Sequence, residues 1–202
     1  MSESVSEAVC MNAYVRRRAV RGNHACALAA DSVIDRMVSD VARKSSFPPV
    51  VDDRTRVLIL GSLPGERSLA EQRYYAHPQN QFWRLVGHVI GRDLAALPYE
   101  ARLAALLEAR IGLWDVVASA RRPGSSDAAI RDHAANDLAA LVDSLASLRA
   151  VAFNGGTALR LGRPLLATKA VALVALPSSS PLHTVGVAAK QPAWDALAAF
   201  TG

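Results

Sequence analysis

"VLILGSLPGERSLAEQRYYAHPQNQFW" (residues 57–83) joins an uninterrupted apolar run to a turn holding Gly61, Pro64 and Gly65, and then to a cluster of rings and amides. Val57, Leu58, Ile59 and Leu60 have no polar residue among them, so they read as a short strand buried on both faces that ends at Gly61. Such a strand needs helices on either side, and the remaining chain supplies the alternation. Residues 79–90 and 99–109 read as helices, residues 150–156 ("AVAFNGG") as a strand ending in a turn, and "TALRLG" as the start of a helix. Residues 170–176 ("AVALVAL") read as another strand and residues 191–200 as a closing helix. "GLWDVV" (residues 112–117) fits strand or turn. Residues 127–145 read as a long amphipathic helix, with Ile130, Ala134, Leu138, Leu141 and Leu145 on one face. The expected fold is a three-layer α/β/α domain with a central, mostly parallel short sheet.

Ligands of such sheets collect beyond the carboxyl ends of the strands. Three strand ends carry unusual loops: "GSLPGERS" (residues 61–68), "FNGGTA" (153–158) and "LPSSSPLHT" (176–184). Parallel strands would bring all three to one rim, which is the expected site.

Composition narrows the classes. At 202 residues, 51% hydrophobic and 20% charged, the chain is expected to fold around a sizeable core. No apolar run reaches the ~18 residues of a membrane span. Arg16, Arg17 and Arg18 precede small and apolar residues, but His24 and Asp31 interrupt any signal-like core, so the expected location is cytoplasmic. Cys10 and Cys26 are the only cysteines, too few for a structural zinc or iron–sulfur site. No metal and no cofactor is expected. The net charge of +5 permits a polyanionic partner. It is spread evenly, with seven basic and five acidic residues before position 51 and 16 and 13 after it. Residues 1–45 read as a flexible N-terminal extension with one possible helix over 27–43. "KSSFPPVVDD" (residues 44–53) reads as a linker because Pro48 and Pro49 lack amide donors, and the main domain is expected over residues 46–202.

The loop residues suggest chemistry. Gly61 and Gly65 allow close backbone approach, which fits an anion-cradling turn or a plain tight turn; a P-loop is excluded because the Gly-Lys-Ser/Thr ending is missing. Phe82 and Trp83 are expected to begin a helix and face the core. Tyr75 and Asn80, a ring and an amide beside the glycine turn, are suited to sandwich a flat heterocycle and orient a water.

"LGSLPGERS" followed by "YYAHPQNQFW" resembles the first motif of the uracil-DNA glycosylase superfamily, and in particular its hypoxanthine-DNA (deoxyinosine) glycosylase branch. The resemblance extends through "GLWDVVASARRPGSSDAAI" (residues 112–130), Asn136-Asp137, "FNGGTA", "LPSSSP" and a late Lys-x-x-x-Trp from Lys190 to Trp194. It implies the uracil-DNA glycosylase-like fold and a loop of Gly61, Ser62, Leu63, Pro64 and Gly65 that approaches the target nucleotide. Tyr75 would stack on an extruded base. Leu63 stands where many relatives carry a water-positioning Asp or Asn, and the role would pass to Asn80, beside His77. "SSSPLH" resembles the second motif, with Ser179 and Ser180 at phosphate, Leu182 as the wedge, and Pro181 and His183 flanking it. Ser178 occupies the place of a His or Asn that stabilises the leaving group in relatives. Asp115 is a candidate for reading the base edge or for capping a turn.

The implied activity is excision of a deaminated base, hypoxanthine first and uracil or xanthine next, from DNA by a monomer, leaving an abasic site for base excision repair. Lys44, Lys169 and Lys190 are the only lysines, none in the three loops, so no amine is expected to form a Schiff base and the enzyme is expected to be monofunctional. A uracil- or mismatch-specific enzyme, a damaged-DNA-binding module without catalysis, and a nucleotide-processing enzyme are the alternatives.

Overall fold

The computed structural model describes residues 43–202. Seven strands are found there: β1 (Arg43–Ser45), β2 (Val57–Gly61), β3 (Ile111–Asp115), β4 (Val117–Arg121), β5 (Arg131–Ala135), β6 (Ala150–Asn154) and β7 (Ala172–Leu176). Seven helices accompany them: α1 (Glu66–Glu71), α2 (Phe82–Val89), α3 (Tyr99–Glu108), α4 (Leu138–Ser144), α5 (Gly156–Gly162), α6 (Val187–Asp195) and α7 (Ala198–Thr201).

The central sheet has the order β3-β2-β6-β7, and every neighbouring pair is parallel. All five residues of β2 are buried, as its unbroken apolar pattern requires. Val57 and Ile59 face one core with Phe82, Trp83, Leu106 and Trp194. Leu58 and Leu60 face the other, with Leu138, Val142, Phe153 and Leu166. This period-2 division makes three layers, with α2, α3 and α6 on one side and α4 and α5 on the other. The helices after β2 and the helix after β6 therefore cover opposite faces. Where two adjacent parallel strands send their connections to opposite faces, a crevice opens at their carboxyl ends.

A second sheet, β1-β4-β5, is antiparallel. It corrects two sequence expectations. The segment read as a linker begins inside β1, which pairs with β4, and Val50 bridges Leu113. The helix expected over 127–145 does not form. Asp127–Ala129 is a single 3-10 turn, β5 pairs with β4 through two register shifts, and only Leu138–Ser144 is helical. Asp137 ends the irregular stretch by accepting the Ala140 amide at 2.9 Å as the α4 N-cap. The alanines and leucines of this segment have helical spacing, but pairing with β4 outweighs local propensity. Smaller shifts occur elsewhere: α2 starts at Phe82 rather than 79, and the closing helix starts at Val187 and divides into α6 and α7. "GLWDVV" resolves into the end of β3, Val116 and the start of β4. The possible helix over 27–43 lies outside the described residues except for Arg43, which is in β1.

Candidate active site

The three loops do meet at one rim. They enclose a cavity of about 460 Å³ lined by Gly61, Leu63, Tyr75, Asn80, Asp115, Asn154 and Ser178 among others. Ser62, Pro64, Gly65, His77, Ser179, Ser180, Pro181, Leu182 and His183 also line it, so every site residue expected from sequence borders the same space.

The floor is built by close approach. A Cβ on Gly61 would lie 2.6 Å from Asp115 Oδ1 and 3.4 Å from the Tyr75 hydroxyl, so only glycine lets β2 end against these groups. Tyr75 is a non-glycine residue at φ +52°, an unfavourable conformation for L side chains. It is held there by stacking on Phe82, with ring centroids 3.7 Å apart and 9° between planes. Its hydroxyl accepts from Asn154 Nδ2 at 3.3 Å. Burial raises the pKa of this phenol, keeping it neutral.

Asn154, within "FNGGTA", is a functional residue that the sequence motifs do not single out. It ends β6 and grips the third loop. Ser179 N donates to Asn154 Oδ1 at 2.9 Å, and Asn154 Nδ2 reaches Ser179 Oγ at 2.9 Å. Ser179 is therefore turned inward, 1% exposed, with its hydroxyl engaged by protein. Gly155, at φ +101°, lets Ser178 pack within 3.0 Å of where its Cβ would be. A polar residue closing an apolar parallel strand was the available signal for Asn154.

Asp115 ends β3 with its carboxyl buried, and Oδ2 has no hydrogen-bond partner. It caps no turn. Desolvation raises its pKa to about 7, opposed by Arg122 and reinforced by Asp127. A buried acid on the floor is thus neutral or ionised according to small changes near neutrality.

A fourth loop, residues 122–130, completes the wall. Sequence reading had assigned its end to a helix. Arg122 is fully buried and donates to the Leu63 carbonyl at 3.0 Å and to the Pro64 carbonyl. Its Nη1 lies 3.6 Å from Asp127 Oδ1, and Ser62 Oγ donates to Asp127 Oδ2 at 2.7 Å. Ser125 Oγ accepts the Glu66 amide at 2.9 Å. The glycine turn is therefore held from beneath by one guanidinium and from the side by two loop residues. Leu63 itself is 5% exposed and packs with Val117 and Ala120. Its side chain serves the core.

Asn80 presents a divided amide. Oδ1 accepts the Phe82 amide at 2.9 Å at the start of α2, which leaves the NH2 end to donate. At the mouth, Leu182 is 65% exposed, the most exposed of the large hydrophobic residues on the described surface. Among the described residues no three His, Cys, Asp or Glu are grouped to hold a metal ion, and no helix is long and apolar enough to cross a membrane.

Two hypoxanthine DNA glycosylases resemble this chain. That of Methanosarcina acetivorans is 42% identical over 154 residues, which is 76% of this chain and 97% of the relative. That of Methanosarcina barkeri is 48% identical over 113 residues, 56% of this chain and 72% of the relative. A solution NMR structure from M. acetivorans, described as a candidate uracil DNA glycosylase, superposes with a TM-score of 0.73 at 41% identity, covering 79% of this chain and 99% of that one. Residues 48–198 match the uracil DNA glycosylase superfamily, and with the same fold in a relative of such identity, this chain belongs to that superfamily.

Proposed function

We propose that the protein is a monofunctional DNA glycosylase that flips a deaminated base, hypoxanthine first, out of DNA and hydrolyses its N-glycosidic bond. It works as a monomer on cytoplasmic DNA and leaves an intact abasic site. The observation that carries this reading is the convergence of four loops on one cavity, with an aromatic ring and a buried acid at its floor and an exposed leucine at its mouth.

The chemistry follows from the groups present. The sugar C1′ is hidden in a stacked duplex, so the nucleotide must leave the stack at a cost on the order of a few kcal/mol. Leu182 fills the gap, and stacking on the free face of Tyr75 recovers roughly 1–3 kcal/mol. A deaminated base sits in a weakened pair, which lowers the flipping cost. As the bond breaks, the sugar becomes cation-like and negative charge moves onto the base. A neutral Asp115 carboxyl would donate to that base, and the glycine turn lines the same cavity. Asn80 Nδ2 holds the oxygen of the attacking water. Because Asn80 Oδ1 is engaged by Phe82, the acceptor for a water proton comes from another cavity group, and Asp127 is a partly exposed carboxylate there.

The test is a panel of duplexes containing hypoxanthine, uracil or xanthine, followed by alkaline cleavage of the abasic product. Strand cleavage at hypoxanthine sites only after alkali is expected. Release of none of these bases would overturn the proposal, and a protein–DNA adduct trapped by borohydride would overturn its monofunctional part.

A further inference from the structure

Lys190 and Trp194 are 1% and 0% exposed, yet neither lines the cavity. They stand one turn apart on α6, so their side chains leave the same face of the helix. Trp194 Nε1 donates to the Pro177 carbonyl at 3.1 Å, and Lys190 Nζ donates to the His183 carbonyl at 3.0 Å. Pro177 and His183 are the two ends of the third rim loop. Between them lie the serines and Leu182.

The helix making these bonds is itself anchored. Gln191 Nε2 donates to the Leu85 carbonyl of α2 at 3.1 Å, and the Trp194 ring meets Phe82 edge-on at 5.8 Å. The loop also has internal bonds that carry a grip on its ends to its tip. His183 N donates to the Ser180 carbonyl at 3.0 Å, and Leu182 N donates to Ser180 Oγ at 3.2 Å. Gln81 N donates to the Ser179 carbonyl at 3.0 Å, which links the loop to the residue after Asn80.

Burial makes a charged amine at position 190 unfavourable and lowers its pKa. An apolar side chain would fill the same space without that penalty but would leave the His183 carbonyl without this donor. We infer that Lys190 and Trp194 act together as a clamp that grips both ends of residues 177–183 and so fixes where Leu182 meets the duplex. They are positioning residues and touch no substrate. A wedge already ordered before DNA arrives loses less entropy on binding than one that must order on contact. The activity arm of this inference rests on the glycosylase reading; the structural arm does not.

Lys190→Met and Trp194→Phe each remove one donor while keeping an apolar body in place. Hydrogen exchange at the Leu182 and His183 amides is expected to accelerate by more than about tenfold in either variant, with protection in the central sheet unchanged. Single-turnover excision from a duplex is expected to fall by more than about tenfold, while excision of the same base from a single strand stays within about twofold. Combining either change with Leu182→Ala should add no further loss on duplex. Unchanged loop exchange overturns the clamp, as do equal losses on duplex and single strand. If the wild-type protein excises no base, the glycosylase reading fails and loop exchange alone decides the clamp. If Lys190→Met does not fold, Trp194→Phe carries the same readouts.

Discussion

On the proposed reading, Asn80 and Asp115 divide the chemistry of the cavity at the scale of single residues. Asn80 both starts α2, through Phe82, and offers its NH2 to the cavity. Asn80→Ala should therefore slow excision by more than about tenfold and cost about 1 kcal/mol of stability through the lost hydrogen bond to the Phe82 amide, measured by single-turnover kinetics and denaturant unfolding. Asp115 makes a pH prediction with a definite sign. Its folded pKa, about 7, lies above the ordinary aspartate value of 3.8, so the native state holds a proton that the unfolded chain has released. Native stability falls as pH rises from about 4 through about 7, because across that window the unfolded state binds fewer protons. Asp115→Asn should then raise Tm more at pH 8 than at pH 5. On the proposed reading of excision, the neutral acid would donate a hydrogen bond to the base, whereas the carboxylate would oppose charge arriving there. The wild-type rate should fall as pH rises through about 7, and the Asn variant should lack that inflection. Sequence pointed to both residues through their motifs. It gave no sign that Asn80 Oδ1 would be occupied or that Asp115 would be buried without a full set of partners.

At the scale of elements, the informative case is the stretch after β4. Residues 127–145 have the spacing of an amphipathic helix, yet Asp127 is drawn to Ser62 and Arg122, and residues 131–135 become a strand. The segment that was misread supplies the fourth wall of the site. Arg122, just ahead of that segment, holds the wall in place, joining Leu63, Pro64 and Asp127 from a fully buried position. Arg122→Met should leave the glycine-turn carbonyls without these donors and Asp127 without its cation. We expect a loss of roughly 1–3 kcal/mol in stability, read by denaturant unfolding, with a fall in excision that raising the substrate concentration does not restore.

At the scale of the whole molecule, the boundary of the domain matters. Arg43 Nε donates to Ser119 Oγ at 3.0 Å, and Lys44 Nζ pairs with Glu66 and donates to the Gly124 carbonyl at 2.8 Å. β1 therefore ties the second sheet to the helix that follows the glycine turn. A chain beginning at Ser46 should be weaker than one beginning at residue 42 by roughly 1–3 kcal/mol in urea unfolding. The same arrangement explains why no strand end acts alone. β2 supplies the glycine turn, β3 the buried acid, β6 the asparagine and β7 the serine loop, and their parallel register brings all four to one edge.

The layers and the rim were legible in the sequence, because unbroken apolar strands and strand-ending glycines carry those features locally. Phe82 and Trp83 in the core and Tyr75 by the glycine turn followed from local pattern, and Leu182 at the mouth from the family resemblance. The tertiary structure decided the roles of Arg122, Asn154, Lys190 and Trp194. Each of the four acts by a hydrogen bond to a residue at least seven positions away, and whether such a donor finds its acceptor depends on packing between elements that no local pattern encodes.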